Sequence, residues 1–310
     1  MFGKDLISIH DLSAEDIQKI FSLAIKLKAE PEDYEDMLQG MTLAMIFEKP
    51  SLRTRVSFEA GMTQLGGHAI YLGPADISLG KRESVPDIAR NLDRMVDIIM
   101  ARTFSHESVI TLAEYATIPV INGLSDLSHP CQALADFLTL YEKKGDLKGL
   151  TLAFVGDGNN VAHSLMLCGA KTGVNVRIVC PEGFDPKPEV VQTAQEDARE
   201  TGALITVTHS LEEGVAGTDA VYTDVWASMG QESESEKRKA IFGPYQINAG
   251  VMAKAKEDAI FLHCLPAHRG DEVTDEVIDS WQSVVFDEAE NRLHAQKAVM
   301  LLLLVGEDLA

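Results

Sequence analysis

Short apolar runs alternating with helical patterns constrain this chain more than any other feature. Residues 41–47, 68–72, 97–101 and 119–121 are strand-length, and helical patterns lie between them. Ser13 reads as an N-cap, with Ile17, Ile20, Phe21, Ala24 and Leu27 recurring at helical spacing behind it. Further helices are predicted over 53–65, from Ser84-Val85-Pro86 onward, and over 130–143. Strands that alternate with helices specify βαβ units and a parallel sheet.

The pattern breaks at the polar, charged stretch 143–149 and then restarts. New strand-like runs follow at 150–155, 175–180, 204–207, 220–224, 260–263 and 284–286. The expected architecture is α/β, with two Rossmann-like domains, each a central parallel sheet flanked by helices. The first spans 1–145 and the second 146–290. A last helix over 291–305 is apolar on more than one face, as expected of a helix that packs at the domain junction. The run 231–239 reads as a solvated helix or loop.

Charge narrows the function. Lys and Arg number 27 against 48 Asp and Glu, a formal net charge of −21. Such an excess repels nucleic acid and anionic lipid, so neither is an expected partner, and an anionic ligand must be held by a local basic cluster. The N-terminus lacks signal or transit character, and no apolar stretch has the length of a membrane span, so a cytoplasmic location is expected. Cys131, Cys168, Cys180 and Cys264 are scattered without a CxxC pair, which argues against disulfides and against a zinc site built from thiols.

Five constellations carry chemistry. In Phe47-Glu48-Lys49-Pro50-Ser51-Leu52-Arg53-Thr54-Arg55 a strand ends, a proline blocks its continuation, and a helix opens with hydroxyls and two arginines. Cations there oppose the helix dipole; a bound anion held by the free N–H groups, hydroxyls and guanidinium resolves the conflict. The alternative is a serine cap beside solvated arginines. Ser128-His129-Pro130-Cys131-Gln132 opens another helix, where His129 can donate to a carbonyl and Gln132 can accept from an amide. Arg102 stands at a strand end, where parallel sheets place ligand-binding residues. Gly156-Asp157-Gly158-Asn159-Asn160 imitates a dinucleotide fingerprint without its third glycine. It fits an NAD-dependent dehydrogenase or a nucleotide-free strand-to-helix turn. Asp224 could bind an ammonium group. Cys264, in His263-Cys264-Leu265-Pro266, is either a ligand-facing thiol or a small buried hydrophobe. His263 should point away from Cys264, because strand neighbours face opposite sides.

Taken together, these segments resemble the ornithine branch of the aspartate/ornithine carbamoyltransferase family. The resemblance rests, in chain order, on Ser51-Leu52-Arg53-Thr54-Arg55, Arg102, His129-Pro130-Cys131-Gln132, Asn160, Asp224 with Ser228-Met229-Gly230, His263-Cys264-Leu265-Pro266 and Arg292. It implies a first domain for carbamoyl phosphate, completed by the C-terminal helix 291–310, and a second for ornithine. It also implies interdomain helices, no metal or other cofactor, and homotrimers or multiples of them. Carbamoyl phosphate would meet Ser51, Leu52, Arg53, Thr54, Arg102, His129, Gln132, Cys264, Leu265 and Arg292. Ornithine would meet Asn160, Asp224, Ser228 and Met229. The catalytic set would be Arg102, His129, Asp224 and Cys264. The family pattern has Thr where Leu52 stands, which should cost a hydroxyl contact without changing the substrate. The expected products are citrulline and phosphate, in arginine biosynthesis or, in reverse, catabolism. Another amine acceptor such as putrescine is the nearest alternative.

Overall fold

The computed structural model describes residues 1–227 and 234–306. The chain divides into two compact units, Met1–Ala135 with Glu290–Ala310, and Asp136–Ala289. The first boundary falls inside a helix, upstream of the polar stretch 143–149, because that stretch merely ends the helix.

Unit 1 is built on strands β1 (Thr42–Phe47), β2 (His68–Leu72), β3 (Ile98–Arg102) and β4 (Val120–Leu124). They form an all-parallel sheet in the order β2-β1-β3-β4. Its helices are α1 (Ala14–Ala29), α2 (Leu52–Gln64), α3 (Val85–Leu92) and α4 (His106–Tyr115), with the start of α5 (Pro130–Lys144). Ser13 caps α1 in a capping box with Asp16. β1, β3 and β4 are buried almost throughout, as expected of parallel strands covered on both faces.

Unit 2 holds β5 (Thr151–Val155), β6 (Asn175–Val179), β7 (Ile205–Thr208), β8 (Ala220–Thr223) and β9 (Ile260–His263), again all parallel, in the order β7-β6-β5-β8-β9. Between them run α6 (Asn160–Thr172), α7 (Pro188–Asp197), α8 (Leu211–Val215), α9 (Ser235–Phe242) and α10 (Ala249–Met252), and α11 (Asp275–Ile278) follows β9. A core of Val155, Val179, Val221, Phe261, Val273 and Val285 fills one face of the sheet.

Two expectations need correction. Residues 284–286 are not a strand. Only an isolated bridge between Phe261 and Ser283 forms, and α12 (Val285–Leu304) begins there. Phe286 is exposed, while Asp287 and Glu288 favour a helical first turn. The charged run 231–239 is not wholly solvated either, for Arg238 on α9 is buried. Arg238 pairs with Asp157 and lies over the rings of Phe184 and Phe242.

In each sheet the strand order reverses once, between β1 and β3 and between β5 and β8. In open α/β sheets, ligands bind outside the carboxyl ends of the strands at such points.

Candidate active site

In unit 1 the chain leaving β1 supplies Glu48, Lys49 and Ser51, and β3 ends on Arg102, paired in register with Phe47. Ser51 caps α2. Its Oγ accepts from the Thr54 N–H (3.3 Å) and donates to Thr54 Oγ1 (3.0 Å). Thr54 is buried, and its Oγ1 also accepts from Arg292 Nη2 (3.2 Å). Arg292 Nη1 donates to Gln132 Oε1 (2.6 Å), so Arg292 ties the first turn of α2 to the first turn of α5. Both Gln132 and Arg292 are buried.

His129 and Arg102 are buried beside these groups. Burial first, then the positive charges of Arg292, Arg102, Lys49 and Arg53, holds the His129 imidazole well below its usual range. Five basic side chains thus converge within a strongly acidic chain. Lys49 is itself lowered, by burial and then by Arg102. The cluster lies at a helix start and is rich in cations, an arrangement suited to a compact anion.

Not every residue of the motif joins in. Arg55 stacks over Tyr71 with its guanidinium 4.0 Å from the ring centroid, and its Nε pairs with Glu59 at 3.1 Å. Leu52 is 72% exposed, so the missing hydroxyl would have faced solvent.

In unit 2 the reversal point carries a second polar group. Asn159, directly after the glycine turn, caps α6 by accepting from the N–H groups of Val161 (2.9 Å) and Ala162 (3.2 Å). Its Nδ2 donates to Asp224 Oδ2 (2.9 Å), spanning β5 and β8. Cys264, beyond β9, donates its S–H to Asp224 Oδ1 at 3.1 Å. Burial, then Asp224, pushes the Cys264 thiol well above its usual range, so the sulfur stays protonated. Asn160, the asparagine singled out from the sequence, is the first residue of α6, and its carbonyl accepts from Ser164 Oγ. Ser228 and Met229 lie outside the described residues.

His263 does not point away from Cys264 as expected: a nitrogen of its ring lies within 4.8 Å of the Cys264 sulfur, because β9 ends at His263 and strand alternation stops there. His263 Nδ1 accepts from the Leu265 N–H (2.9 Å), so the ring proton lies on Nε2, which faces Glu272 Oε1 at 3.2 Å. Glu272 also accepts from the His268 N–H (2.5 Å), and both His263 and Glu272 are fully buried. This brace holds the turn where Leu265 takes φ 55° and precedes a cis proline. Asp224, His263 and Cys264 offer donor atoms within 4.8 Å of one another. A metal there does not fit well, since both His263 nitrogens are already engaged.

The glycine turn is not shaped for a nucleotide. A Cβ on Gly158 would meet Pro186 N at 2.2 Å, and its N–H donates to Phe184 O (2.8 Å). The loop 181–186 therefore lies where a pyrophosphate would approach, and Asn159 takes up N–H groups that a phosphate would use.

Sequence reasoning missed Asn159, Lys49, Glu272 and Arg238. A cap preference would have favoured either asparagine of the 159–160 pair; the others carry no local signal.

Residues 4–142 match the carbamoyl-P binding domain of the aspartate/ornithine carbamoyltransferases, and residues 148–303 match their Asp/Orn binding domain. A protein of Anoxybacillus flavithermus named ornithine carbamoyltransferase is 56% identical over 304 residues, covering 97% of each chain. The structure of the ornithine carbamoyltransferase from Pyrococcus furiosus superposes with a TM-score of 0.96 at 54% identity, covering 98% of both chains. That from Thermus thermophilus does so at 0.87 and 44%, covering 97% of this chain and 98% of the other. With both halves matched in order and both reversal points carrying polar clusters, the chain belongs to the aspartate/ornithine carbamoyltransferase family.

Proposed function

We propose that this chain is an enzyme that transfers the carbamoyl group of carbamoyl phosphate to the δ-amine of L-ornithine, giving L-citrulline and phosphate. The observation that carries the reading is the convergence of Arg53, Lys49, Arg102 and Arg292 on the buried His129. A doubly charged phosphate calls for such a cluster, and a carbonyl calls for a donor that is not itself a cation.

Unit 1 takes the donor. Ser51, the Leu52 N–H, Arg53, Thr54 and Arg102 hold phosphate oxygens. His129 and Arg102 polarise the carbonyl, and Gln132, fixed by Arg292, accepts from the carbamoyl NH2. Unit 2 takes the acceptor. Asp224, braced by Asn159 and Cys264, attracts an ammonium group, with Asn160, Ser228 and Met229 as further contacts, while Cys264 and Leu265 face the carbamoyl group.

Free ornithine holds its δ-amine protonated up to about pH 10, so only the neutral fraction reacts. Its lone pair attacks the carbamoyl carbon and negative charge builds on the oxygen. The C–O bond to phosphate then breaks, and the phosphate departs with the proton shed by nitrogen. The basic cluster supplies the positive charge that the step needs, so no cofactor is assigned. A homotrimer in the cytoplasm is the expected context. Among the described residues no helix is long and apolar enough to cross a membrane.

The test is product formation with ornithine, putrescine, aspartate and N-acetylornithine as acceptors. Citrulline from ornithine at a kcat/KM far above the others is expected. Preference for another amine, or no carbamoyl transfer, refutes the reading.

A further inference from the structure

On the carboxyl edge of the unit 2 sheet, one step outward from the Asp224 site, three further side chains converge. β6 and β7 run parallel with Val179 opposite Thr208, so Cys180 and His209, the residues that follow, emerge side by side. Asp185 reaches back to them from the loop 181–186. Its Oδ1 lies 3.9 Å from Cys180 Sγ and 3.6 Å from His209 Nε2, and the three donor atoms fall within 4.8 Å of one another.

We propose that Cys180, Asp185 and His209 form a binding site for a zinc-class divalent cation, separate from the carbamoyl-transfer residues. The spacing fits the ion. With Zn–S of about 2.3 Å and Zn–N and Zn–O of about 2.0–2.2 Å in a tetrahedron, S···O comes to about 3.6 Å and N···O to about 3.4 Å. The two separations from Asp185 Oδ1 need to close by only a few tenths of an ångström, and the sulfur and the imidazole nitrogen lie within 4.8 Å of each other.

The imidazole supplies a second, independent observation. His209 Nδ1 lies 2.9 Å from the Cys180 carbonyl oxygen, which has no proton to give, so Nδ1 carries the hydrogen. The Nε2 lone pair is thereby aimed at the cluster. Metal-bound histidines are fixed in this way, by the other ring nitrogen donating to a carbonyl or carboxylate. Burial, then the charges of Asp185 and Asp157, pushes the Cys180 thiol up to about 12, so a cation that binds there must displace its proton. Sulfur is buried while Asp185 and His209 are 45% and 42% exposed, so an ion can enter from solvent with a fourth position left to water. One soft and two borderline or hard donors select zinc or cobalt over magnesium or calcium. The cysteine-spacing rule could not find this site, because its ligands follow two strands paired in space.

Cobalt reports on sulfur ligation by a charge-transfer band in the near ultraviolet, so Co2+ is the probe and Zn2+ its competitor. The full-length Cys264→Ser chain is used as the parent, to remove the thiol of the other donor cluster, Asp224, His263 and Cys264. One equivalent of Co2+ is expected to bind with a sulfur band that Zn2+ displaces and Mg2+ does not. Adding Cys180→Ser should abolish the band. Asp185→Asn and His209→Ala, at exposed positions tolerant of change, should each weaken binding by more than about 10-fold. The proposal is overturned if the parent binds no Co2+ with a sulfur band, or if the band survives Cys180→Ser. If that variant does not fold, unaltered Co2+ affinity in both exposed-site variants overturns it equally.

Discussion

Asp224→Asn is an isosteric change whose cost is set by the hydrogen bonds around it. In the wild type all three contacts donate to the carboxylate. Oδ1 accepts from Cys264 S–H (3.1 Å) and the Val225 N–H (2.8 Å), and Oδ2 accepts from Asn159 Nδ2 (2.9 Å). An amide has one acceptor, so one side must present NH2 to a donor. Asn159 cannot turn over to compensate, because its Oδ1 caps the Val161 and Ala162 N–H groups. The better orientation keeps the carbonyl on Cys264 and sets two NH2 groups against each other. Losing one charge-assisted bond costs about 1.5–3 kcal/mol. At about 2–4 °C per kcal/mol, that lowers the Tm by roughly 3–12 °C. A ligand ammonium that loses its carboxylate through a bond of the same strength binds about 10–100-fold more weakly. Scanning calorimetry and ornithine titration measure the two effects, and carbamoyl phosphate binding serves as the control. Adding Asn159→Asp should recover part of the stability by restoring an acceptor opposite the amide. Unchanged Tm and ornithine affinity in Asp224→Asn would refute this assignment of donors.

Four further outcomes are expected. Arg53→Ala and Arg102→Ala should each abolish citrulline formation while leaving the circular dichroism spectrum native; near-normal turnover in both rules out the phosphate assignment. Cys264→Ala should weaken ornithine binding more than carbamoyl phosphate binding, and separate titrations of the two ligands show whether that division holds. Glu272→Ala strips the acceptor from His263 and His268, and should cost about 1–3 kcal/mol for each donor left unpaired, measured by urea unfolding; an unshifted midpoint means the brace is incidental. Because His129 resists protonation in the folded state, unfolding lets this site take up a proton below about pH 6.5, and its contribution to stability should fall on acidification by up to ~1.4 kcal/mol per unit, while Glu288, raised by burial and then by Asp136, acts in the opposite direction. His129→Gln should flatten that slope in unfolding curves taken across the range; His294, also lowered, contributes in the same direction as His129.

Periodicity carried the fold because parallel strands buried on both faces read as unbroken apolar runs. It failed at 284–286, where three apolar residues suit a strand or the start of a helix and only the neighbours of Val285 decide. The basic cluster was legible through a local conflict, cations at the positive end of α2. Lys49 had no such mark, since its place beside Arg102 follows from β1 lying next to β3. Glu272 is one acid among 48 Asp and Glu, and nothing nearby in sequence says that it turns inward to His263. Arg238 likewise hid within a charged run. Of the two adjacent asparagines, the one that braces Asp224 is set by the residue at which α6 begins.

The split composition of unit 1 bears on how the molecule is made. Its sheet is complete by Leu124, yet α2 rests on residues from the far end of the chain. Gly61 lies 3.1 Å from Met300 and 3.2 Å from Lys297 by the position a Cβ would take, Lys297 donates to Gln64, and Arg292 holds Thr54. During synthesis unit 2 emerges whole before these partners do, and domains tend to fold in the order in which they emerge. The basic cluster at the start of α2 must therefore wait, with one flank of that helix bare, until Arg292 to Met300 have been made. Released chains truncated before Arg292 should carry a folded second unit and no competence for the donor.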